Sequence, residues 1–217
     1  MKLNLANKLT IFRIILVPVL MLVPIIDKIY GISGEFLGIS TAFWIMNVIF
    51  IIASITDKLD GYIARSRNQV TTFGKFLDPL ADKILVISAL VILVEYTKIP
   101  SWIPIIVLAR EFIVSGYRLL AVEKGGQVIA ASIWGKLKTV TQMIAIILAF
   151  LDRFSFGQFI FRVSSELEMQ INSATIYMTT GQYVINILTT VLLIISVIAT
   201  IFSGVDYLKN GKDLLKD

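Results

Sequence analysis

The chain has 217 residues, 57% of them hydrophobic, with a mean hydropathy of +0.84, and a soluble domain of this length could not bury so much apolar surface in one core. Cysteine and histidine are absent, which excludes disulfides, thiolate zinc sites and histidine as a general base, and leaves oxygen ligands that favour magnesium, manganese or calcium. The formal net charge of +5 suits a protein beside anionic lipid head groups, and no nucleic-acid partner is expected because no soluble basic domain is visible.

Six apolar segments predict an all-α integral membrane protein with six transmembrane helices, since a helix needs about 20 mostly apolar residues to span the hydrocarbon. They lie near Thr10–Ile26, Ile39–Thr56, Leu85–Tyr96, Trp102–Val122, Val140–Leu151 and Tyr183–Phe202. The third and fifth segments reach full length only by including polar residues at their cytoplasmic ends. The first resembles a signal peptide, but no small-residue cleavage site follows it, so we expect it to be retained. The residues MKLNLANKL that open the chain predict a short N-terminal interfacial helix.

The distribution of lysine and arginine predicts the orientation in the membrane. Six spans place both termini on one side, and most lysine and arginine residues outside the spans fall on that same side. Because positively charged loops are typically cytoplasmic, we expect both termini and the segment Ser54–Leu85 at the cytoplasmic face of the cell membrane. No repeat or linker divides the chain, so residues 1–217 are expected to form a single membrane domain.

Four aspartates follow the second apolar segment. Asp57 and Asp60 lie three residues apart and Asp78 and Asp82 lie four apart, so each pair shares a face of an α-helix. Two antiparallel helices joined by the turn Ser66–Phe73 would bring the two faces together, and the four carboxylates would repel one another unless one or two divalent cations neutralised them. The alternative is a solvated loop in which the aspartates pair with neighbouring lysines and arginines.

The same stretch carries a spaced motif that resembles the signature of a known family. Between Asp57 and Asp82 the sequence follows the pattern D-x2-D-G-x2-A-R-x8-G-x3-D-x3-D, which is similar at every fixed position to that of the CDP-alcohol phosphatidyltransferases. The resemblance implies an integral membrane enzyme with six transmembrane helices, working as a homodimer. Such an enzyme transfers a phosphatidyl group from a CDP-linked lipid to an alcohol and releases CMP.

Residue roles follow from that resemblance, position by position. It implies that divalent metal ions, Mg²⁺ or Mn²⁺, are held by Asp57, Asp60, Asp78 and Asp82. It implies that Asp82 also acts as the base toward the acceptor hydroxyl. It implies a CDP pocket lined by Asp57, Asp60, Gly61, Ala64, Arg65 and Gly74, with Thr71 as a further neighbour of the nucleotide.

A second stretch narrows the acceptor. The segment Leu108–Met143 resembles the corresponding region of bacterial phosphatidylglycerophosphate synthases, a branch of that family, which use CDP-diacylglycerol and sn-glycerol 3-phosphate. The opening NKLTIFRI is also similar to their N-terminus, although Ala6 stands where that branch often has proline. The resemblance and the need for cations around a dianion point to an acceptor phosphate site formed by Arg110, Arg118, Lys136 and Lys138.

The spacing of these cations constrains how they bind. Arg110 and Arg118 project about 80° apart on an ideal helix, so both can border one cavity. Lys136 and Lys138 diverge by about 200° on a helix, so both reach one phosphate only if Lys136 precedes the regular helix, which Gly135 permits. The alternative for Arg118 is a salt bridge with Glu111.

Three other functions compete with this assignment. A transporter or proton pathway would use Arg110 and Glu111 within the membrane, but it predicts a continuous polar path and often paired repeats. A purely structural membrane protein predicts no metal dependence and leaves the fixed spacing unexplained. Within the family, enzymes that use serine, inositol phosphate or phosphatidylglycerol as acceptor share the aspartate motif, so only the acceptor region separates them.

Overall fold

The computed structural model describes residues 5–66, 72–123, 132–161 and 180–210. Within these ranges the chain folds into helices and one two-stranded hairpin. The helices are α1 (Leu5–Tyr30), α2 (Thr41–Ser66), α3 (Thr72–Glu95), α4 (Trp102–Glu123), α5 (Ile133–Leu151), α6 (Gln158–Phe161) and α7 (Thr180–Asn210). The strands are β1 (Glu35–Phe36) and β2 (Ile39–Ser40), which pair antiparallel.

The predicted helices are present, but six membrane spans are not confirmed. Among the described residues, three helical stretches are long and apolar enough to cross a membrane, namely Asn7–Tyr30, Ile133–Leu151 and Gly181–Lys209. The apolar part of α2 is shorter, Thr41–Asp57, because its last turns carry the aspartate motif. Helices α3 and α4 likewise include charged residues, which lowers their hydropathy.

The structure differs from the sequence prediction at the N-terminus. Helix α1 is continuous from Leu5 to Tyr30, so the described part of the predicted interfacial helix is the first turn of α1 rather than a separate element. No glycine or proline interrupts residues 5–17, and the polar side chains of Asn7, Thr10 and Arg13 are buried instead of lying at an interface.

The described residues form two compact units. One comprises Met1–Thr97 with Ala149–Arg153, and the other comprises Lys98–Leu148 with Phe154–Asp217. The prediction of a single domain over residues 1–217 stays a prediction.

The first unit is built on α1, which packs against both α2 and α3. Its buried positions alternate large and small side chains, since Met46 and Phe50 are fully buried beside Ala42, Ala53 and Ala89. Small residues let helix backbones approach closely, which is the usual basis of helix packing in membranes.

The end of α1 is fixed by a polar group. Gly31, at a φ of +64°, donates its amide to the Asp27 carbonyl at 2.9 Å, and Ile32 donates to the Asp27 carboxylate at 3.2 Å. Both bonds satisfy groups that a helix end leaves open. The same carboxylate accepts a hydrogen bond from Tyr96 at 2.8 Å, and Lys28 pairs with Glu95. These contacts tie the end of α1 to the end of α3.

The hairpin follows α1 and turns at Leu37 and Gly38, both of which have positive φ. Two consecutive positive φ values suit the tight turns that connect antiparallel strands. A Cβ at Gly38 would lie 2.5 Å from Nη1 of Arg153, so the guanidinium packs directly on the turn.

The second unit contains α4 packed against α7, with α5 joined to both by side-chain contacts. Trp134 of α5 stacks on Phe202 of α7, with ring centroids 4.9 Å apart. The connection after α5 is held by Gly157, whose amide donates to Thr190 at 3.0 Å.

Helix α7 has a buried polar face and an exposed apolar face. Its buried polar side chains recur about every turn, at Gln182, Asn186, Thr189, Thr190, Ser196, Thr200 and Ser203. Its exposed large apolar side chains include Val184, Leu188, Val191, Ile195, Ile198, Phe202 and Val205. The buried side of the helix thus combines these polar groups with apolar residues such as Leu193 and Val197, whereas the exposed side is rich in large apolar side chains.

Candidate active site

The aspartate motif lies on two helices of the first unit, as predicted. Asp57 and Asp60 are within α2, and Asp78 and Asp82 are within α3. Because both segments are helical, each pair shares a helix face, and α2 and α3 contact each other. The side chains of Asp60 and Asp78 lie outside the described residues, so convergence of the four carboxylates stays a prediction.

Asp57 forms an ion pair with an arginine of the first helix. Nη1 of Arg13 lies 2.7 Å from Oδ1 of Asp57. The Arg13 side chain is 0% exposed, whereas that of Asp57 is 34% exposed. A buried guanidinium is costly without an anion, so this contact both neutralises Arg13 and orients the carboxylate. A carboxylate has two oxygens and about four acceptor sites, which leaves Asp57 capacity to bind a cation.

Arg13 was not among the predicted site residues. The available signal was an arginine inside an apolar segment, where an ionisable residue usually has a partner or a function. Its partner could not be named from the sequence, because the pair joins separate helices.

Asp82, the predicted base, is half-buried and makes side-chain interactions of its own. It follows Ala81, which is buried, and precedes Leu85, which is fully buried. The carboxylate is thus carried on a helix whose neighbouring positions are fixed by packing.

The donor chemistry fits a hard divalent cation. The four motif aspartates offer only oxygen, the ligand that magnesium and manganese prefer. Among side chains that the structure describes, no three acidic groups lie close enough to form a metal site, but only Asp57 and Asp82 of the motif belong to that set. Both are on the helices that the motif predicts.

The predicted nucleotide residues are placed only in part. Gly61, Ala64 and Arg65 lie in α2, and Gly74 lies in α3, but their side-chain surroundings lie outside the described residues. Thr71 also lies outside them, between the end of α2 and the start of α3.

A separate group of cations lies in the second unit, organised by Glu111. Its Oε1 accepts hydrogen bonds from Nη1 of Arg110 at 2.8 Å and from Nζ of Lys138 at 2.6 Å. All three side chains are largely buried, with exposures of 13% for Arg110, 13% for Glu111 and 8% for Lys138. Glu111 therefore connects α4 to α5 and sets the positions of two predicted phosphate-binding cations.

Helix α7 supplies the remaining contacts of this group. Nη2 of Arg110 donates to Ser203 at 2.6 Å, and Nη2 of Arg118 donates to the Tyr207 hydroxyl at 2.9 Å. The Tyr207 ring is close to both arginines, with its centroid 5.8 Å from Cζ of Arg110 and 5.7 Å from Cζ of Arg118. We refer to Arg110, Glu111, Arg118, Lys138, Ser203 and Tyr207 as the cation cluster.

The described contacts of the cluster bear on the alternative considered for Arg118. Glu111 pairs with Arg110 and Lys138, and Arg118 donates to Tyr207; the alternative Arg118–Glu111 salt bridge is not among the described contacts. Ser203 and Tyr207 were not predicted as site residues, because no local sequence pattern in this apolar helix indicates that they contact arginines about 90 positions away.

The start of α5 bears on the predicted pair of lysines. The helix begins at Ile133, with the Ser132 hydroxyl accepting the Gly135 amide at 3.3 Å as an N-cap. Lys136 is therefore inside the helix, so the condition under which Lys136 and Lys138 could both reach one phosphate is not met. Lys138 is buried and Lys136 is exposed, so the two side chains diverge, and this helix does not present both to one phosphate.

These features define the class of protein before any comparison is made. Apolar helices long enough to cross a bilayer, together with an oxygen-only donor set and a partly buried cation cluster, define a helical membrane protein with side chains suited to binding cations and anions.

Comparison with known proteins identifies the family. The family model for CDP-alcohol phosphatidyltransferase matches residues 3–202, and the chain belongs to the CDP-alcohol phosphatidyltransferase family. Members of this family generally depend on a divalent metal ion.

Several relatives share one name. A Bacillus subtilis protein named CDP-diacylglycerol–glycerol-3-phosphate 3-phosphatidyltransferase is 47% identical over 146 residues, covering 66% of this chain and 74% of its own length. A Haemophilus influenzae protein of the same name is 37% identical over 221 residues, covering 100% of this chain and 98% of its own length. A Mycobacterium tuberculosis protein named as a probable phosphatidylglycerophosphate synthase is 42% identical over 143 residues, covering 66% and 64% respectively.

Proposed function

We propose that the protein transfers the phosphatidyl group of CDP-diacylglycerol to sn-glycerol 3-phosphate, giving phosphatidylglycerophosphate and CMP. The observation that carries this proposal is the likeness, over nearly the whole length of both chains, to the H. influenzae protein whose name states that reaction. The cation cluster supports the same acceptor on chemical grounds.

The donor site is assigned to the aspartate motif. Asp57, Asp60, Asp78 and Asp82 would hold Mg²⁺ or Mn²⁺, which neutralises the charge of the pyrophosphate and of the leaving CMP. Gly61, Ala64, Arg65, Thr71 and Gly74 would line the nucleotide pocket together with Asp57 and Asp60. Glycine and alanine at these positions allow a ligand to approach the backbone closely.

Asp82 is assigned as the base. A hydroxyl is a poor nucleophile at neutral pH, and with no histidine in the chain a carboxylate is the most suitable acceptor for its proton. As the acceptor oxygen bonds to the phosphorus, Asp82 takes the hydroxyl proton and the bond to the CMP oxygen breaks. Atoms and charge balance without any further reactant.

The acceptor phosphate site is assigned to the cation cluster. Arg110, Arg118 and Lys138 carry three positive charges, and Glu111 offsets one of them, so two remain. A phosphate monoester carries close to two negative charges at neutral pH, and the cluster is therefore matched to sn-glycerol 3-phosphate. Lys136 is assigned only a contact with the acceptor from the exposed side of α5, because its side chain diverges from the buried side chain of Lys138.

The membrane arrangement is part of the proposal. Helices α1 to α5 and α7 would provide six spans, with the first residues of the chain near the interface and both termini on the cytoplasmic side. The polar turns at the end of α2 and the start of α3 would be part of these spans and would place the aspartates at the level of the lipid phosphates. We further propose one functional domain, a homodimer and a location in the cell membrane.

An acceptor panel tests the proposal. Membranes containing the protein are given CDP-diacylglycerol with Mg²⁺ or Mn²⁺, and CMP release is measured with glycerol 3-phosphate, serine, inositol phosphate or phosphatidylglycerol. We expect release with glycerol 3-phosphate and little with the others. Release with serine or inositol phosphate and none with glycerol 3-phosphate would refute the acceptor assignment, and membranes with an Asp57→Ala variant provide the background.

A further inference from the structure

Tyr207 is buried close to two positively charged side chains, those of Arg110 and Arg118. It is 2% exposed, and its ring centroid lies 5.8 Å from the guanidinium carbon of Arg110 and 5.7 Å from that of Arg118. Two guanidinium groups repel each other, most strongly where water is excluded. An aromatic face attracts a cation within about 6 Å, so the ring stabilises both arginines at a fixed separation.

The hydroxyl of Tyr207 adds direction to this arrangement. It accepts a hydrogen bond from Nη2 of Arg118 at 2.9 Å, which fixes the plane of that guanidinium. Arg118 itself is exposed, so without the bond its long side chain would have many conformations to lose on binding a ligand.

Arg110 points to a ligand independently. Its two terminal nitrogens donate to Glu111 and Ser203, but its Nε is buried and has no hydrogen-bond partner among the described residues. A buried donor without a partner is costly. An anion held between the two arginines would supply the missing acceptor.

The neighbouring glycines leave room on the Arg110 side. A Cβ at Gly135 would lie 3.5 Å from Nη2 of Arg110 and 3.4 Å from the Ser203 hydroxyl, and a Cβ at Gly204 would lie 3.6 Å from Cγ of Arg110. These are ordinary van der Waals distances, so the two glycines lie directly beside Arg110 and Ser203 without crowding them.

We propose that Tyr207 is a positioning residue that sets the spacing and orientation of Arg110 and Arg118 for a phosphate monoester, and thereby makes the enzyme selective for a phosphorylated acceptor. This inference rests on the proposed function, and it adds a residue on the last helix to the acceptor site. Tyr207 acts through the two arginines and does not itself contact the reacting atoms.

The test is the Tyr207→Phe variant of the full-length protein, which keeps the ring and removes the hydroxyl that accepts the hydrogen bond from Arg118. We expect the KM for glycerol 3-phosphate to rise about tenfold, the value of one hydrogen bond to a charged group, while the KM for CDP-diacylglycerol and kcat change little. Tyr207→Leu, which also removes the ring, should raise that KM further and narrow the preference for glycerol 3-phosphate over glycerol.

Thr200→Ala is the matched control. Thr200 is fully buried on the same helix, and its hydroxyl bonds to the Ser196 carbonyl of that helix. The control removes a buried hydroxyl without touching the arginines, so both KM values should stay at the level of the unsubstituted protein.

The outcomes separate this inference from the proposed function. An unchanged acceptor KM in Tyr207→Phe, or an equal rise in both KM values, overturns the positioning role even if the variant melts at a lower temperature. If the unsubstituted protein does not use glycerol 3-phosphate, the proposed function fails. Inorganic phosphate then decides the inference, because at one concentration it should raise the melting temperature of the unsubstituted protein more than that of Tyr207→Phe, and equal shifts in the two proteins would overturn the positioning role.

Discussion

Arg13 of α1 and Asp57 of α2 form an ion pair in which Nη1 and Oδ1 are 2.7 Å apart. The Arg13 side chain is buried and the Asp57 side chain is partly exposed. The ion pair therefore fixes the position of the carboxylate while part of it remains accessible to a cation. This geometry suits an aspartate that must present an oxygen to a cation in a fixed direction.

We predict that Arg13→Gln weakens metal binding. Without the buried partner Asp57 is no longer oriented, and the Mn²⁺ concentration that gives half of the maximal thermal protection should rise about tenfold. Stability without metal should fall by less than the ~3 kcal/mol typical of a fully buried pair, because Asp57 is partly solvated. The control is Lys28→Met in the same helix, since Lys28 and Glu95 are both exposed. Equal metal dependence in the two variants would contradict a role for Arg13 in the site.

Asp82→Asn is predicted to separate binding from turnover. An amide keeps the size of the side chain but cannot take a proton, so kcat should fall by about 10² to 10⁴, while CMP binding measured by calorimetry is retained. Glu95→Gln is the control, because it makes the same change from carboxylate to amide at the other end of α3. Normal turnover in Asp82→Asn would remove the base assignment.

Removal of divalent metal is predicted to abolish turnover reversibly. Chelation leaves the aspartates without the cation that offsets their mutual repulsion and the charge of the donor pyrophosphate. CMP release should return when Mg²⁺ or Mn²⁺ is added in excess of the chelator. Full activity in the chelator alone would show that the four aspartates serve another purpose.

The two lysines of α5 are predicted to behave differently. Lys138 is buried against Glu111, whereas Lys136 is exposed. Lys138→Met should raise the KM for glycerol 3-phosphate about tenfold or more, and Lys136→Met should raise it less. The two variants are controls for each other, since both remove one lysine charge from the same helix. A larger effect at Lys136 would mean that the helix presents its other face to the acceptor.

The hairpin offers a test of stability. Gly31 and Gly38 both have positive φ, but a Cβ at Gly31 would meet nothing within 4 Å, whereas one at Gly38 would meet the Arg153 guanidinium. Replacement by alanine at Gly31 should cost about 1 kcal/mol of unfolding free energy from backbone strain alone. Gly38→Ala should cost more, because Arg153 is also displaced. In an Arg153→Ala background the two costs should become equal in thermal unfolding, and a persistent difference would contradict the role of that contact.

The sequence predicted best what depends on local periodicity. Each of the six predicted apolar segments lies mostly on a helix, although Ile39 and Ser40 of the second form strand β2. The spacing of Asp57 and Asp60 in α2 and of Asp78 and Asp82 in α3 follows from the helical repeat. Periodicity does not reveal whether a helix crosses a membrane when its ends are polar. For that reason six spans were expected, whereas three helices in the part of the chain that the structure describes are long and apolar enough by composition.

The sequence was least informative where distant residues meet. Arg118 and Tyr207 are 89 positions apart, and Arg110 and Ser203 are 93 apart, so no local pattern connects them. The start of α5 was misjudged for a different reason. Gly135 suggested a break before Lys138, but Ser132 caps the helix and Gly135 instead allows close packing beside Ser203.

The opposite faces of α7 have a consequence for how the protein is made. The exposed valines, leucines and isoleucines make α7 apolar enough to insert into the bilayer. The buried amides and hydroxyls contribute only when α7 packs against α4 and the connection after α5, where their hydrogen-bond partners lie. Asn186, for example, donates to the Ser155 carbonyl at 3.0 Å. In an Asn186→Leu variant, α7 would therefore insert into the bilayer at least as readily, but its packing against the connection after α5 would be weaker. A single substitution would thus separate membrane insertion of this enzyme from the packing of its helices.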